Sequence, residues 1–295
     1  MKKLYFILAF IFISSTFLGQ HSTLTSNYLF NLFAVNPAYA GQKRALDMSF
    51  FYRKQWGNLT GAPQTLNILS SIEVKPKNLS LGIQYQNDKI GLTSTSNAKL
   101  AIAYRVKLDR KKTISFGIMP GYRRIFYDLS KLRTTSQGDE VLNFNSPVIN
   151  SFNASAGIFY YTKKIYGGIS SPELFNVNKT FSFTEFNIIG GYVIKASDEV
   201  TLKPSFLLRH IKNSPTQVDI NLTAYINVDL GIGIAYRNKD AIVGYLDYLI
   251  NKKFRIGYSY DYSVGKLRKY NSGSHEIMLN YFFGKTSHAP SPRFF

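Results

Sequence analysis

Apolar side chains recur at every second position along most of this chain, the spacing that puts one set of side chains on each face of a β-strand. Leu79, Leu81, Ile83 and Tyr85 alternate with Ser80, Gly82, Gln84 and Gln86, and Leu100, Ile102, Tyr104 and Val106 alternate with Lys99, Ala101, Ala103, Arg105 and Lys107. The pattern returns in Val228, Leu230, Ile232, Ile234 and Tyr236 against Asp229, Gly231, Gly233, Ala235 and Arg237. It returns again in Phe254, Ile256, Tyr258, Tyr260 and Tyr262 against Arg255, Gly257, Ser259 and Asp261. One face is apolar. The other carries charges, glycines and hydroxyls, and such cations do not sit in a packed soluble core without partners.

Followed along the chain, the alternation predicts strands near 45–53, 64–73, 79–87, 95–107, 112–123, 151–161, 164–170, 184–194, 200–210, 217–226, 228–237, 241–249, 253–262 and 274–284. That makes about fourteen, an even number, and most approach the ~9 to 11 residues that cross a bilayer at a tilt. The connections near 74–78, 108–111, 162–163, 195–199, 227 and 250–252 are tight. Those near 54–63, 88–94, 124–150, 171–183, 211–216 and 263–273 are mostly longer, and only 238–240 breaks the alternation. A soluble sandwich has no reason to keep short turns at one end and long loops at the other, whereas outer-membrane barrels do. The expected fold is therefore all-β, a transmembrane antiparallel β-barrel of about fourteen strands with an N-terminal periplasmic or plug segment. Tyr52, Tyr85, Tyr104, Tyr236 and Tyr281 are expected in its interfacial girdles. With both termini periplasmic, the loops at 54–63, 124–150 and 263–273 should face the outside.

Composition narrows the picture. Of 295 residues only 18% are charged, while 21 Tyr and 23 Phe raise the aromatic share and no cysteine is present. A disulfide framework, a cysteine zinc site and a thiol nucleophile are thereby excluded. A mean hydropathy of −0.11 is too polar for a bundle of membrane helices. Met1, Lys2 and Lys3 precede an uncharged stretch over 4–18, which reads as a signal peptide over 1–19 cleaved after Gly19. The remaining chain divides into an N-terminal motif segment (20–44), the barrel (45–284) and a C-terminal tail (285–295).

The net charge of +19 points to nucleic acid or to an acidic partner, and a secreted barrel meets little nucleic acid. Strand cations such as Arg105, Arg123, Arg209, Arg237 and Arg255 are expected in the lumen, paired with the dispersed Asp219, Asp229, Asp247 and Asp261. Turn lysines such as Lys111 and Lys163 either meet anionic lipid or an acidic periplasmic protein, or are simply solvated. Catalytic chemistry finds little support. Ser274, His275 and Glu276 are adjacent on a strand and cannot converge. Gly190 and Gly191, or Gly231 and Gly233, follow strand alternation and open no helix, so no phosphate loop or cofactor motif is found.

The stretch before the first strand carries Asn27, Tyr28, Leu29, Phe30 and Asn31, then Val35, Asn36, Pro37, Ala38, Tyr39, Ala40 and Gly41. Downstream come Arg53, Gln55 and Trp56, then Gly61, Ala62, Pro63, Gln64 and Thr65, then Asp88, Ile90 and Gly91, and finally Gly273, Ser274, His275 and Glu276. Together these resemble the motifs of the PorP/SprF family, outer-membrane proteins of the type IX secretion system of Bacteroidetes; Leu32 departs from the proline common in that family. The resemblance implies an outer-membrane barrel without catalytic residues or cofactor. Its implied partners are outer-membrane lipid, type IX secretion components and the C-terminal domain of a secreted cargo or gliding adhesin. A porin passing small solutes remains the alternative. Trp56, Tyr122, Phe126, Tyr127, Leu142 and Phe144, next to Arg53, Arg123 and Arg124, are the candidate partner-binding residues, since aromatics with arginine are the composition of interface hot spots. Asn36 and Pro37, set among Phe30, Phe33 and Tyr39, should fix a turn that packs into the periplasmic mouth of the barrel.

Overall fold

The computed structural model describes residues 26–43, 46–74, 78–131, 146–175, 181–227, 229–251 and 253–283. The expected signal peptide, the tail after 284, and residues 132–145 of the expected loop, with Leu142 and Phe144, fall outside these residues. Fourteen strands form one closed sheet: β1 (Leu46–Lys54), β2 (Gln64–Val74), β3 (Leu79–Ile90), β4 (Thr93–Lys107), β5 (Thr113–Tyr127), β6 (Val148–Tyr161) and β7 (Ile165–Phe175). They continue as β8 (Phe181–Tyr192), β9 (Val200–Ile211), β10 (Gln217–Ile226), β11 (Leu230–Arg237), β12 (Ala241–Leu249), β13 (Phe254–Ser263) and β14 (Ser274–Phe283). After Val193, Ile194–Lys195 extends β8 and pairs with Leu202 and Thr201 of β9. Every strand is antiparallel to its sequence neighbours, and β14 pairs with β1 to close the ring. Closure leaves no edge at the seam between first and last strands, as lipid requires.

The expected two faces are present. On β1 the burial alternates strictly, with Asp47, Ser49, Phe51 and Arg53 turned into the lumen and Met48, Phe50 and Tyr52 exposed outside. Along β4 the outward row runs from Val106 to Ala98, about 26 Å at ~3.3 Å per residue, which matches the ~25 Å apolar band of an outer-membrane barrel. Tyr52, Tyr85 and Tyr236 stand on the outer face toward the long-loop end, and Tyr104 and Tyr281 toward the short-turn end.

The short turns are built by local capping. In the turn after β4, the carboxylate of Asp109 accepts the backbone N–H groups of Lys111 (2.6 Å) and Lys112 (2.7 Å). These bonds hold its carboxyl below the usual aspartate range.

The rim is uneven. β4 and β5 have 15 residues and β6 has 14, against 8 in β11 and 9 in β12. Just above the apolar band the outward positions of the long strands include polar residues, Asn87 and Lys89 on β3, Ser94 and Ser96 on β4, Arg124 on β5 and Asn150 on β6. The expected long connection at 88–94 is corrected by this extension. Gly91 takes a left-handed backbone (φ +56°), so two residues turn the chain and the rest joins β3 and β4. Likewise 124–127 and 148–150 belong to β5 and β6 rather than to a loop.

Candidate functional site

The apolar core lies inside the lumen, and the N-terminal segment supplies it. Three short 3₁₀ turns, Ser26–Leu29, Leu32–Ala34 and Pro37–Tyr39, carry Tyr28, Phe33 and Tyr39 into complete burial. Each of the last two is capped by an asparagine: Asn31 Oδ1 accepts from Phe33 N (3.1 Å), and Asn36 Oδ1 from Ala38 N (2.9 Å), with Pro37 pre-set at the first turn position. Asn36 Nδ2 then donates to the wall carbonyls of Ile158 (3.1 Å) and Ile169 (3.4 Å), and Ser170 Oγ donates to the carbonyl of Val35 (2.6 Å).

The wall yields to the plug through glycine. Gly117 and Gly157 are opposite each other across β5 and β6. A Cβ on Gly117 would overlap the backbone of Pro37 and Ala38, and one on Gly157 would overlap Asn36 Oδ1. A Cβ on Gly168 would lie 2.7 Å from Asn36 Nδ2, and one on Gly82 2.7 Å from Phe33 Cζ. The asparagine-proline motif is thus seated in a groove of side-chain-free wall.

This plug does more than cap the short-turn mouth, which corrects the expectation from the sequence. Ser26 sits near the long-loop ends of β1, β11, β13 and β14, and the chain descends the lumen to the short-turn end. There the Gly41 carbonyl accepts from Arg105 Nη2 (3.1 Å), Arg105 pairs with Glu73 (3.2 Å), and Lys43 pairs with Asp47 (3.0 Å).

At the upper end the motifs of distant segments form a collar. Arg53, directly opposite Glu276 in the β1–β14 register, bonds Glu276 Oε2 (3.1 Å) and Asp261 Oδ2 (2.8 Å). Arg237 bonds Asp261 (3.0 Å) and Asp219 (3.2 Å). Into this network comes the plug: Ser26 N donates to Glu276 Oε2 (2.7 Å), its hydroxyl to Asp261 (3.1 Å), and Tyr28 OH to Asp219 (3.0 Å). Around it, Thr65 Oγ1 donates to Asp88 (2.7 Å), Gly91 N to the Gly61 carbonyl (2.9 Å), Gln55 N to the Pro63 carbonyl (2.9 Å), Trp56 N to Ser274 Oγ (3.1 Å) and Gly57 N to the Gly273 carbonyl (2.8 Å). Gly61 needs its left-handed backbone (φ +75°), and its Cα side packs within ordinary contact of Gly91.

Residues 18–281 match the family model described as type IX secretion system membrane protein PorP/SprF. The chain belongs to the PorP/SprF family. It is an outer-membrane β-barrel of the type IX secretion system. Among curated proteins no relative matches. Among solved structures, the CymD monoaromatic hydrocarbon channel shares 10% identity at a TM-score of 0.54, over 92% of this chain and 96% of that one. The Ralstonia pickettii toluene transporter TbuX shares 9% identity at 0.52, over 88% and 94%. These likenesses are of fold.

Placed on this PorP/SprF barrel, the sequence-selected partner residues separate. Arg53 is only 2% exposed and belongs to the collar, not to a surface loop. Arg123 also turns inward and pairs with Glu173 (2.6 Å). Trp56 is half-buried in the β1–β2 loop with φ +46°. Tyr122 is exposed on the outer face, edge-on to Phe152 (5.4 Å between centroids), and Arg124 is exposed two positions higher. Phe126 and Tyr127 are half-buried at the top of β5. Ser274 and Glu276 are buried on the lumen side, whereas His275 faces outward with Nδ1 2.7 Å from Tyr258 OH, so the three do not converge. Sequence reasoning missed Ser26 and the wall glycines 82, 117, 157 and 168. The signal for the glycines was available in part, since Gly82 and Gly117 share the lumen-facing parity of Ser80 and Ser115.

Proposed function

We propose that the barrel is the cell-surface partner of a type IX cargo or gliding adhesin and binds its C-terminal domain at the long-loop end, which we place outside the cell. The observation that carries this reading is the plug. Residues 26–43 run buried through the lumen, a groove of glycines receives their middle, hydrogen bonds from Ser26 to Glu276 and Asp261 hold the upper end, and the Lys43–Asp47 ion pair holds the lower. Outer-membrane transporters also carry plugs, but a segment held from Ser26 to Lys43 does not leave the open lumen of a porin, and it gives a scaffold a rigid rim. Tyr122, Phe126, Tyr127, Trp56 and Arg124 are the rim residues we assign to the partner; Arg53 and Arg123 support it from within the lumen. The short-turn end, with Lys111 and Lys163, is assigned to periplasmic secretion components.

Deleting the gene should leave small-solute uptake intact while one or a few large surface proteins disappear from the cell exterior. Loss of uptake of a small nutrient with an unchanged secreted proteome would replace this reading with the porin.

A further inference from the structure

The ladder between β6 and β7 stops short of the rim. Pairing runs from Tyr161 and Tyr166 to Ala156 and Ser171 and ends there, while β6 pairs with β5 all the way to Val148. Among the described residues, 148–155 of β6 therefore have a strand neighbour on one side only. The break has a local cause. β7 shifts register against β8 between Ser170 and Glu173, and at the same place Pro172, which has no N–H to give, turns its carbonyl to Lys99 Nζ (2.9 Å) and Ser155 Oγ (2.7 Å). Those side chains close the lowest part of the gap from inside the lumen.

Higher up, the edge carries exposed apolar side chains on both of its faces. Val148 is 42% exposed, Ile149 37% and Phe152 71%, the highest value of any large apolar side chain among the described residues. Phe152 and Tyr122 mark the top of the apolar band, and 148–150 stand above it, level with Arg124, which is directly opposite Asn150. Lipid is a poor cover at that height, and a flat apolar edge in water recruits another strand. Arg124 makes no ion pair with a described residue and is long enough to reach across β6 toward the next strand position, ~4.8 Å beyond.

We propose that residues 148–152 of β6 take up one extended strand of the surface partner by β-augmentation, with an aromatic or aliphatic side chain on that strand against Phe152 and Tyr122 and an acidic one beside Arg124. The identity of the partner as the exported C-terminal domain rests on the proposed function above; the mode of capture rests on the edge.

The test uses the purified barrel and the C-terminal domain of a type IX cargo secreted by the same cell. The alternate amides within 148–152 that point away from β5 should exchange rapidly in the barrel alone, in detergent and in phospholipid vesicles, and become protected when the domain is added. Arg124→Glu and Phe152→Asp, both at exposed positions, should each weaken binding at least tenfold without changing the barrel's melting. Because the chain has no cysteine, Asn150→Cys can carry a short cross-linker. It should link to the domain, and Ser94→Cys, at similar height but paired on both sides, should not. Protection in the barrel alone would show that the chain's own loops cover the edge, and protection only in vesicles that lipid does; either overturns the inference. Tight binding of both variants with unchanged exchange would overturn it while leaving the proposed function standing. No binding by the parent barrel would overturn both.

Discussion

Replacing Gly117 by alanine separates the wall from what it holds. In a free β-strand this change is favourable, since alanine loses less backbone entropy than glycine on folding; the gain is about 0.5–1 kcal/mol. Gly117 has an ordinary extended backbone, so strain does not oppose it. Space does. The added Cβ would fall on the nitrogen and Cα of Ala38 and the carbonyl carbon of Pro37, all main-chain atoms of a segment pinned a few residues away by Asn36 and Ser170. No side chain can swing aside, so the overpacking cost of about 1–3 kcal/mol should exceed the gain and fall on plug docking. At ~1.4 kcal/mol per decade, the plug's open fraction should rise up to about a hundredfold. Single-channel recording in planar bilayers reads that fraction, and heat-modifiable migration checks that the barrel is still closed. In a barrel lacking residues 26–40, the same substitution should be neutral or slightly stabilising. If Gly117→Ala leaves both open probability and melting unchanged in the intact chain, the claim that this glycine exists to admit the plug is wrong.

Three further outcomes follow from the same contacts. Arg53→Ala leaves Glu276 buried without its arginine and should cost about 3–5 kcal/mol, seen as a lowered melting temperature and frequent openings, with Arg53→Lys recovering only part. Asn36→Ala removes a turn cap and two bonds to wall carbonyls, and should cost about 2–4 kcal/mol of plug docking by chemical denaturation. An epitope inserted near Gly138 should be labelled on intact cells; labelling only after lysis would invert the orientation assigned to the rim.

Much of the barrel is written in local pattern. A period of two fixes which side chains face lipid and which face the lumen, because consecutive residues of a strand must point oppositely; that is why Arg237 and Arg255 with Asp219, Asp247 and Asp261 are legible as inward pairs, whereas Asp229 lies exposed in the turn before β11. Alternating loop length fixed the two ends, and motif residues fixed the family. What pattern cannot carry is height along the barrel and the filling of the lumen. Arg53 closes the predicted strand 45–53 beside a long loop, and alternation with Met48, Phe50 and Tyr52 turns it inward, but that it meets Glu276 and Asp261 is decided by the β1–β14 register and closure. The path of the plug depends on contacts such as Ser26 to Glu276, 250 residues apart, and on glycines whose purpose is invisible until the backbone that crosses them is known. The open edge of β6 likewise begins where its neighbour β7 shifts register against β8, a property of strands together. Side-chain alternation is a one-strand property set by backbone stereochemistry; register, stagger and lumen packing are set by which closed arrangement buries the plug and pairs its ions, and only the tertiary structure decides that.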